Sequence, residues 1–167
     1  ATFAALRRRG IKPEAIRRLI IDVGPKTQDI MLSWENLYAH NRKIVDPVAN
    51  RYFFVQDPVR LAVQNVPYSF SVKLHLHPDH PDKGFRSFEI MPRDGNAQFH
   101  VSGVDVKKFS EEKVVRFMEL FNFRIEKVEE SLVEASFHSE SYEEAKRLGA
   151  VLIHWIPFGT GIPCEVV

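Results

Sequence analysis

Cysteine is nearly missing from this chain: Cys164 is the only one among 167 residues. One thiol builds neither a disulfide framework nor a zinc–thiolate site, so a reducing compartment is expected. No base and orienting partner of the kind a nucleophile needs stand near it in the sequence. No apolar run approaches the roughly 20 residues of a membrane span. The first eleven residues carry three arginines and lack the apolar core of a signal peptide. The eight glycines are dispersed and make no GxxxxGK phosphate loop. Net charge is almost nil, with 23 Lys and Arg against 22 Asp and Glu. Together these absences leave no catalytic constellation in the chain. An initial methionine is also lacking, and the closing CEVV reads as an unfinished strand, so both ends are expected to be cuts in a longer protein.

What is present is globular in composition, 44% apolar and 27% charged. The basic residues gather at the front: the first 60 residues hold eleven lysines and arginines against six acids. Apolar spacing predicts two short helices before Gly24, the first stopped by Gly10 and the second opened by Pro13. Asp29 to Leu32 reads as a connector. Ser33 is expected to cap a third helix of about ten residues, whose apolar face is Trp34, Leu37 and Tyr38 with Asn41 a turn on. Asp46-Pro47 ends the helical pattern.

From Arg51 the period changes to two, and strands are expected at 51–55, 59–63, 70–77, 85–91, 98–102, 123–127, 132–137 and 151–155. A helical turn is expected at 104–109 and a short helix at 141–148. Residues 110–121 (SEEKVVRFMELF) read as helix by composition, although Val114 to Phe117 is equally a strand pattern. Many short strands with few helices suggest a closed or nearly closed barrel.

Two groups of side chains stand out. His75, His77 and His80 (HLHPDH) resemble a ligand cluster, but no fourth ligand accompanies them and zinc favours closed four-ligand sets, so a polar strand face and a His-Pro turn are expected, with no metal. The stronger signal is basic residues beside aromatics: Arg51 before Tyr52, and Lys73, Arg86, Lys107, Lys108 and Arg116 on or near strands. Arginine offers a flat stacking surface and a fork of donors. Single-stranded RNA is read by such stacking and by bonds to base edges. The competing reading is that these are solvated outer faces of strands.

Four fragments, TFAALRRRGIKPEAIRRLI, SWENLYAHNRKIVDPVANRYFFVQDPV, HPDHPDKGFR and AVLIHWIP, in this order, resemble the glutamyl- and glutaminyl-tRNA synthetase family, most of all its archaeal-type glutamyl branch. The resemblance covers nearly the whole chain. It implies an α+β fold: an N-terminal helical connector over residues 1–45, then a mainly antiparallel β-barrel of the ribosomal protein L25 type over residues 46–167, anticodon-binding and incomplete at its C-terminal end. The family's catalytic motifs, of His-Ile-Gly-His and Lys-Met-Ser-Lys-Ser type, are not in this sequence, so no catalytic residue is expected here. ATP, Mg²⁺ and glutamate would belong to a catalytic domain outside the chain.

The expected partner is a glutamate tRNA, with no DNA and no membrane, in the cytoplasm. By the same resemblance Arg51 matches the arginine that contacts an anticodon base, and Arg116 matches a strand arginine that lies near the anticodon in glutaminyl members. That second match favours strand from Val114 onward. Lys107, Lys108 and Lys113 stand where glutaminyl members carry a longer basic loop, which favours the glutamyl branch. Arg7, Arg8, Arg9, Lys12 and Arg42 would contact the tRNA backbone, positioning it without reading sequence. The alternatives are a glutaminyl-enzyme fragment and a stand-alone L25-like barrel on ribosomal RNA.

Overall fold

The structure is a computed structural model that describes residues 2–25, 31–111 and 113–166. Asp29 and Ile30 of the expected connector lie outside the described residues. Two compact units are formed, one from Ala1–Arg51, His77–Lys83 and Cys164–Val167, the other from Tyr52–Leu76 and Gly84–Pro163.

The first unit is built on helices α1 (Phe3–Arg8), α2 (Pro13–Val23) and α3 (Trp34–Val45). The Thr2 hydroxyl accepts from the Ala5 amide, and Gly10, at φ 74°, lets the Ile11 amide close back on the Leu6 carbonyl at 3.0 Å. Pro13 occupies the first turn of α2. Asn41 of α3 then bridges the turn between α1 and α2: its Oδ1 accepts from the Lys12 amide at 2.8 Å and its Nδ2 donates to the Gly10 carbonyl at 3.3 Å. A small core of Ile11, Ala15, Leu19 and Leu37 joins the three helices.

Here the apolar-face expectation needs correction. Leu37 is buried, but Trp34 and Tyr38 remain 43% and 40% exposed. Tyr38 lies about 100° around the helix from Leu37, so the buried stripe, Leu37 and Ile44, is too narrow to include it.

The second unit is a seven-stranded sheet curled into a half-barrel, with a separate two-stranded ribbon. In chain order its strands are β1 (Pro58–Gln64), β2 (Phe70–His75), β3 (Phe85–Ile90), β4 (Ala97–Ser102), β5 (Val114–Phe117), β6 (Asn122–Val128), β7 (Leu132–Ser139), β8 (Val151–Ile153) and β9 (Ile156–Pro157). The sheet runs β8-β5-β6-β7-β1-β4-β9, and β2 pairs with β3. Most pairs are antiparallel; β1–β7 and β5–β8 are parallel. The helices are α4 (Gly103–Val106) and α5 (Tyr142–Arg147), the latter capped by Ser141 as expected.

Several element expectations change. Residues 51–55 form no strand, and although Phe53 packs on the core, Tyr52 and Phe54 stay exposed, so apolar alternation there reflects single anchors rather than a ladder. The strand expected over 151–155 stops at Ile153, because Trp155 turns into the core and its Nε1 donates to the Met118 carbonyl at 2.8 Å. The helix that composition favoured over 110–121 does not form; Val114–Phe117 is a strand, as the family resemblance favoured, and one arm of a hairpin with β6. All four residues of β5 are buried, and Glu119, at φ 57°, turns the chain so that the Phe117 amide reaches the Phe121 carbonyl at 3.0 Å. With the residues of both its faces buried, this strand loses the alternation that marks a half-wet strand in sequence.

The core of this unit is aromatic. Phe99, Phe117, Phe121, Phe123 and Trp155 are all fully buried, with ring centroids 4.4 to 6.0 Å apart where they touch. One backbone approach is tight: a Cβ on Gly103 would lie 2.9 Å from the Asp57 carbonyl oxygen. That carbonyl and the Gln56 carbonyl both accept from the Gly103 amide. Gly103→Ala is therefore expected to destabilise the chain by about 1–3 kcal/mol through overpacking, read as a lower denaturant midpoint.

Candidate nucleic-acid interface

In the first unit the expected backbone contacts are carried on short helices. Arg7 and Arg8 occupy the last turn of α1, Arg9 caps it, Lys12 caps α2, and Arg42 is in the last turn of α3; all are exposed. Cations at helix C-termini face the partial negative charge of the free carbonyls, which favours them there. The sequence reading missed what lies beside them. Trp34 and Tyr38 stack with centroids 5.9 Å apart and planes at 26°, and the Arg9 guanidinium sits 5.9 Å from the Trp34 ring. The available signal was a Trp and a Tyr four residues apart directly behind a Ser cap, but periodicity assigned both to the buried face.

Arg51 is exposed and held. Its Nη2 donates to both oxygens of Asp46, at 2.9 and 3.1 Å. The Arg51 hydrogen bond keeps the Asp46 carboxyl below the ordinary carboxylate range against the opposing effect of desolvation, with electrostatic attraction to Arg51, the His77 ring and Arg42 adding to it. The sign follows: the pair persists down through the usual carboxylate pKa and is lost only at lower pH, when Asp46 protonates.

The histidine motif divides between the units. His75 is exposed at the end of β2, whereas His77 belongs with the first unit and is 1% exposed. This corrects the expectation of one shared strand face. The His77 Nδ1 accepts from the Asp79 amide at 3.1 Å, which leaves the ring proton on Nε2, 3.9 Å from the Asp46 carboxylate. No three His, Cys, Asp or Glu side chains converge on a metal-sized space among the described residues.

In the second unit the sequence-selected residues differ in exposure and partners. Lys107 and Lys108 are exposed just after α4, with the Lys108 ammonium 3.2 Å from Asp105. Lys113 is half-buried at the start of the β5 arm. Arg116 turns inward and is 9% exposed. Its Nη1 donates to Asn122 Oδ1 at 2.8 Å and to the Glu140 carbonyl at 3.1 Å, while the exposed Tyr142 ring lies 5.5 Å from its guanidinium carbon. Asn122, directly across the hairpin and fully buried, passes its own donors to Ser139 Oγ and the Ser141 carbonyl.

Two arginines outside the selected sites also meet aromatics. Arg60 Nη2 bonds Gln98 at 2.7 Å with its guanidinium 4.8 Å from the Phe158 ring. Arg86 sits 4.8, 5.3 and 5.7 Å from the Phe53, Tyr52 and Phe88 rings, and partial burial lowers its pKa.

Exposed arginines and stacked aromatics suit an RNA surface better than a reaction centre, although the chain after residue 60 carries 12 Lys and Arg against 16 Asp and Glu. Comparison with known proteins decides the matter. The anticodon-binding domain model of class I tRNA synthetases (E and Q) matches residues 49–140. The chain belongs to this anticodon-binding family. Its curated relatives include the glutamate–tRNA ligase of Methanopyrus kandleri, 45% identical across the whole of this chain and 29% of the relative. Those of Pyrococcus abyssi and Thermococcus kodakarensis are 48% and 46% identical, each over 99% of this chain and 28% of the relative. The chain thus spans under a third of the length of these relatives. The family match starts two residues before Arg51 and includes Lys107, Lys108, Lys113 and Arg116; the helices that carry Arg7 to Arg9, Lys12 and Arg42 precede it. No described helix is long and apolar enough to cross a membrane.

Proposed function

We propose that this chain is the tRNA-binding portion of a glutamate–tRNA ligase. The observation that carries the reading is the anticodon-binding family match, joined to relatives of that name along the whole chain. On this reading residues 1–45 are the helical connector, and residues 46–167 are most of an L25-like barrel whose remaining strands come from outside the chain. ATP, Mg²⁺ and glutamate bind in a separate catalytic domain, the full protein works in the cytoplasm, and this portion supplies affinity, orientation and discrimination among tRNAs. Arg51 contacts an anticodon base. Lys107, Lys108 and Lys113 approach the anticodon loop, and Arg116 contributes through Tyr142, whose ring covers its guanidinium. Arg7, Arg8, Arg9, Lys12 and Arg42 bind phosphates. The relatives' names favour glutamate over glutamine, and the short 107–113 segment supports the same choice.

The test is binding of the chain to a glutamate tRNA transcript and to an anticodon-swapped version across a salt series. A preference for the native anticodon that survives moderate salt is expected. Arg51→Ala is expected to remove about 1–3 kcal/mol from the native complex and little from the swapped one. Arg8→Ala is expected to weaken both alike and to reduce the slope of log K against log salt by about 1. Identical behaviour of the two variants across both RNAs would defeat the division between base reading and backbone binding.

A further inference from the structure

The HPDHPDK turn is a conspicuous motif that RNA binding leaves without a purpose, and two of its side chains, His77 and Lys83, reach the segment that bears Arg51. Residues 46–51 leave the end of α3 without regular structure, tied locally by the Asp46 amide to the Arg42 carbonyl at 2.8 Å and the Ala49 amide to the Val45 carbonyl at 2.9 Å. The turn reaches this segment at two further points. The buried Nε2–H of His77 faces Asp46 Oδ1 at 3.9 Å, beyond hydrogen-bond distance, and has no hydrogen-bond partner among the described residues. The Lys83 ammonium donates to the Ala49 carbonyl at 2.9 Å.

A buried imidazole N–H aimed at a carboxylate and a lysine head on a backbone carbonyl are costly to place unless they fix something. What both fix is the carboxylate that Arg51 grips and the chain two residues before it. A base-edge contact demands a guanidinium held to within about 0.5 Å, which an irregular six-residue segment does not supply by itself.

We propose that the 77–83 turn is a brace that positions Arg51, acting through Asp46 and the Ala49 carbonyl. Asp46, His77 and Lys83 are positioning residues and touch no RNA. The idea rests on the base-reading role given to Arg51 above, and its test separates the two.

Relaxation of the Arg51 Nε–Hε signal in the RNA-free chain measures the brace directly. An ordered guanidinium in the wild type that becomes mobile in Asp46→Asn and Lys83→Met is the expected result. A guanidinium already mobile in the wild type, or equally ordered in both variants, overturns the proposal. Thermal melts accompany each variant, and Lys83→Met, which keeps the aliphatic stem, carries the test if Asp46→Asn does not fold. In the binding assay each variant is expected to lower the native-over-swapped preference by about 3- to 10-fold, and to change nothing in an Arg51→Ala background, where a merely structural defect would still register. Should the wild type show no anticodon preference while Arg51 is ordered only with the brace intact, base reading falls and the brace stands.

Discussion

Trp155→Ala is expected to lower the stability of the chain by about 4 kcal/mol, at the upper end of large-to-small core changes. The indole is fully buried against Phe53, Phe88, Phe99 and Phe117, with centroids 5.4 to 5.9 Å away. Deleting it opens a cavity that four rigid rings cannot collapse to fill. It also strips the Met118 carbonyl of the indole N–H bond at 2.8 Å. With about 2–4 °C lost per kcal/mol in a chain of this size, the melting temperature should fall by roughly 8–16 °C. Trp155→Phe keeps most of the ring area and loses the bond, so about 1–2 kcal/mol is expected. Near-UV circular dichroism follows the transition. Trp34, the other tryptophan, remains as a fluorescence reporter in the first unit. An alanine variant that melts within about 2 °C of the wild type would show that the aromatic cluster is not the stabilising centre.

The second large effect is expected at Arg116. Arg116→Met removes two charge-assisted hydrogen bonds and leaves Asn122 Oδ1 buried without its donor, for a net loss of roughly 3 kcal/mol. The methionine fills much of the vacated space, so packing does not dominate. Arg116→Lys keeps the charge but not the fork, and is expected to lose nearly as much. Binding measurements separate stability from RNA contact. Once corrected for the folded fraction, tRNA affinity should fall by less than about 3-fold if Arg116 works only through the fold and Tyr142. A loss above about 10-fold with an unchanged melt would instead put its guanidinium on the RNA.

Sequence and structure agree where local chemistry is decisive. Gly10, Pro13, Ser33 and Ser141 mark helix ends because each satisfies an end group or a backbone angle within a few residues of itself. Strands β1, β3, β4, β6 and β7 lie within a residue or two of their expected positions, since one side of each is buried and the other wet. Arg51 drew notice in the sequence from its place behind Asp46-Pro47 and ahead of an aromatic run, and it falls inside the span of the family match.

What the residues alone determined is therefore composition, element ends, the basic front and, through four motifs in order, the family. Tertiary structure decided the rest. It settled Val114–Phe117, which composition read as helix and the family resemblance as strand, because burial on both faces erases a period that only one-sided burial creates. It left Trp34 and Tyr38 in solvent by offering α3 a partner wide enough for Leu37 and Ile44 alone. It turned Arg116 inward, since Asn122 and the Glu140 carbonyl converge there from six and 24 residues away. It also set the His77 turn against Asp46, 31 positions earlier in the chain. A pattern of residues encodes which faces avoid water and where a helix ends; which distant group meets a given side chain depends on the path of the whole chain.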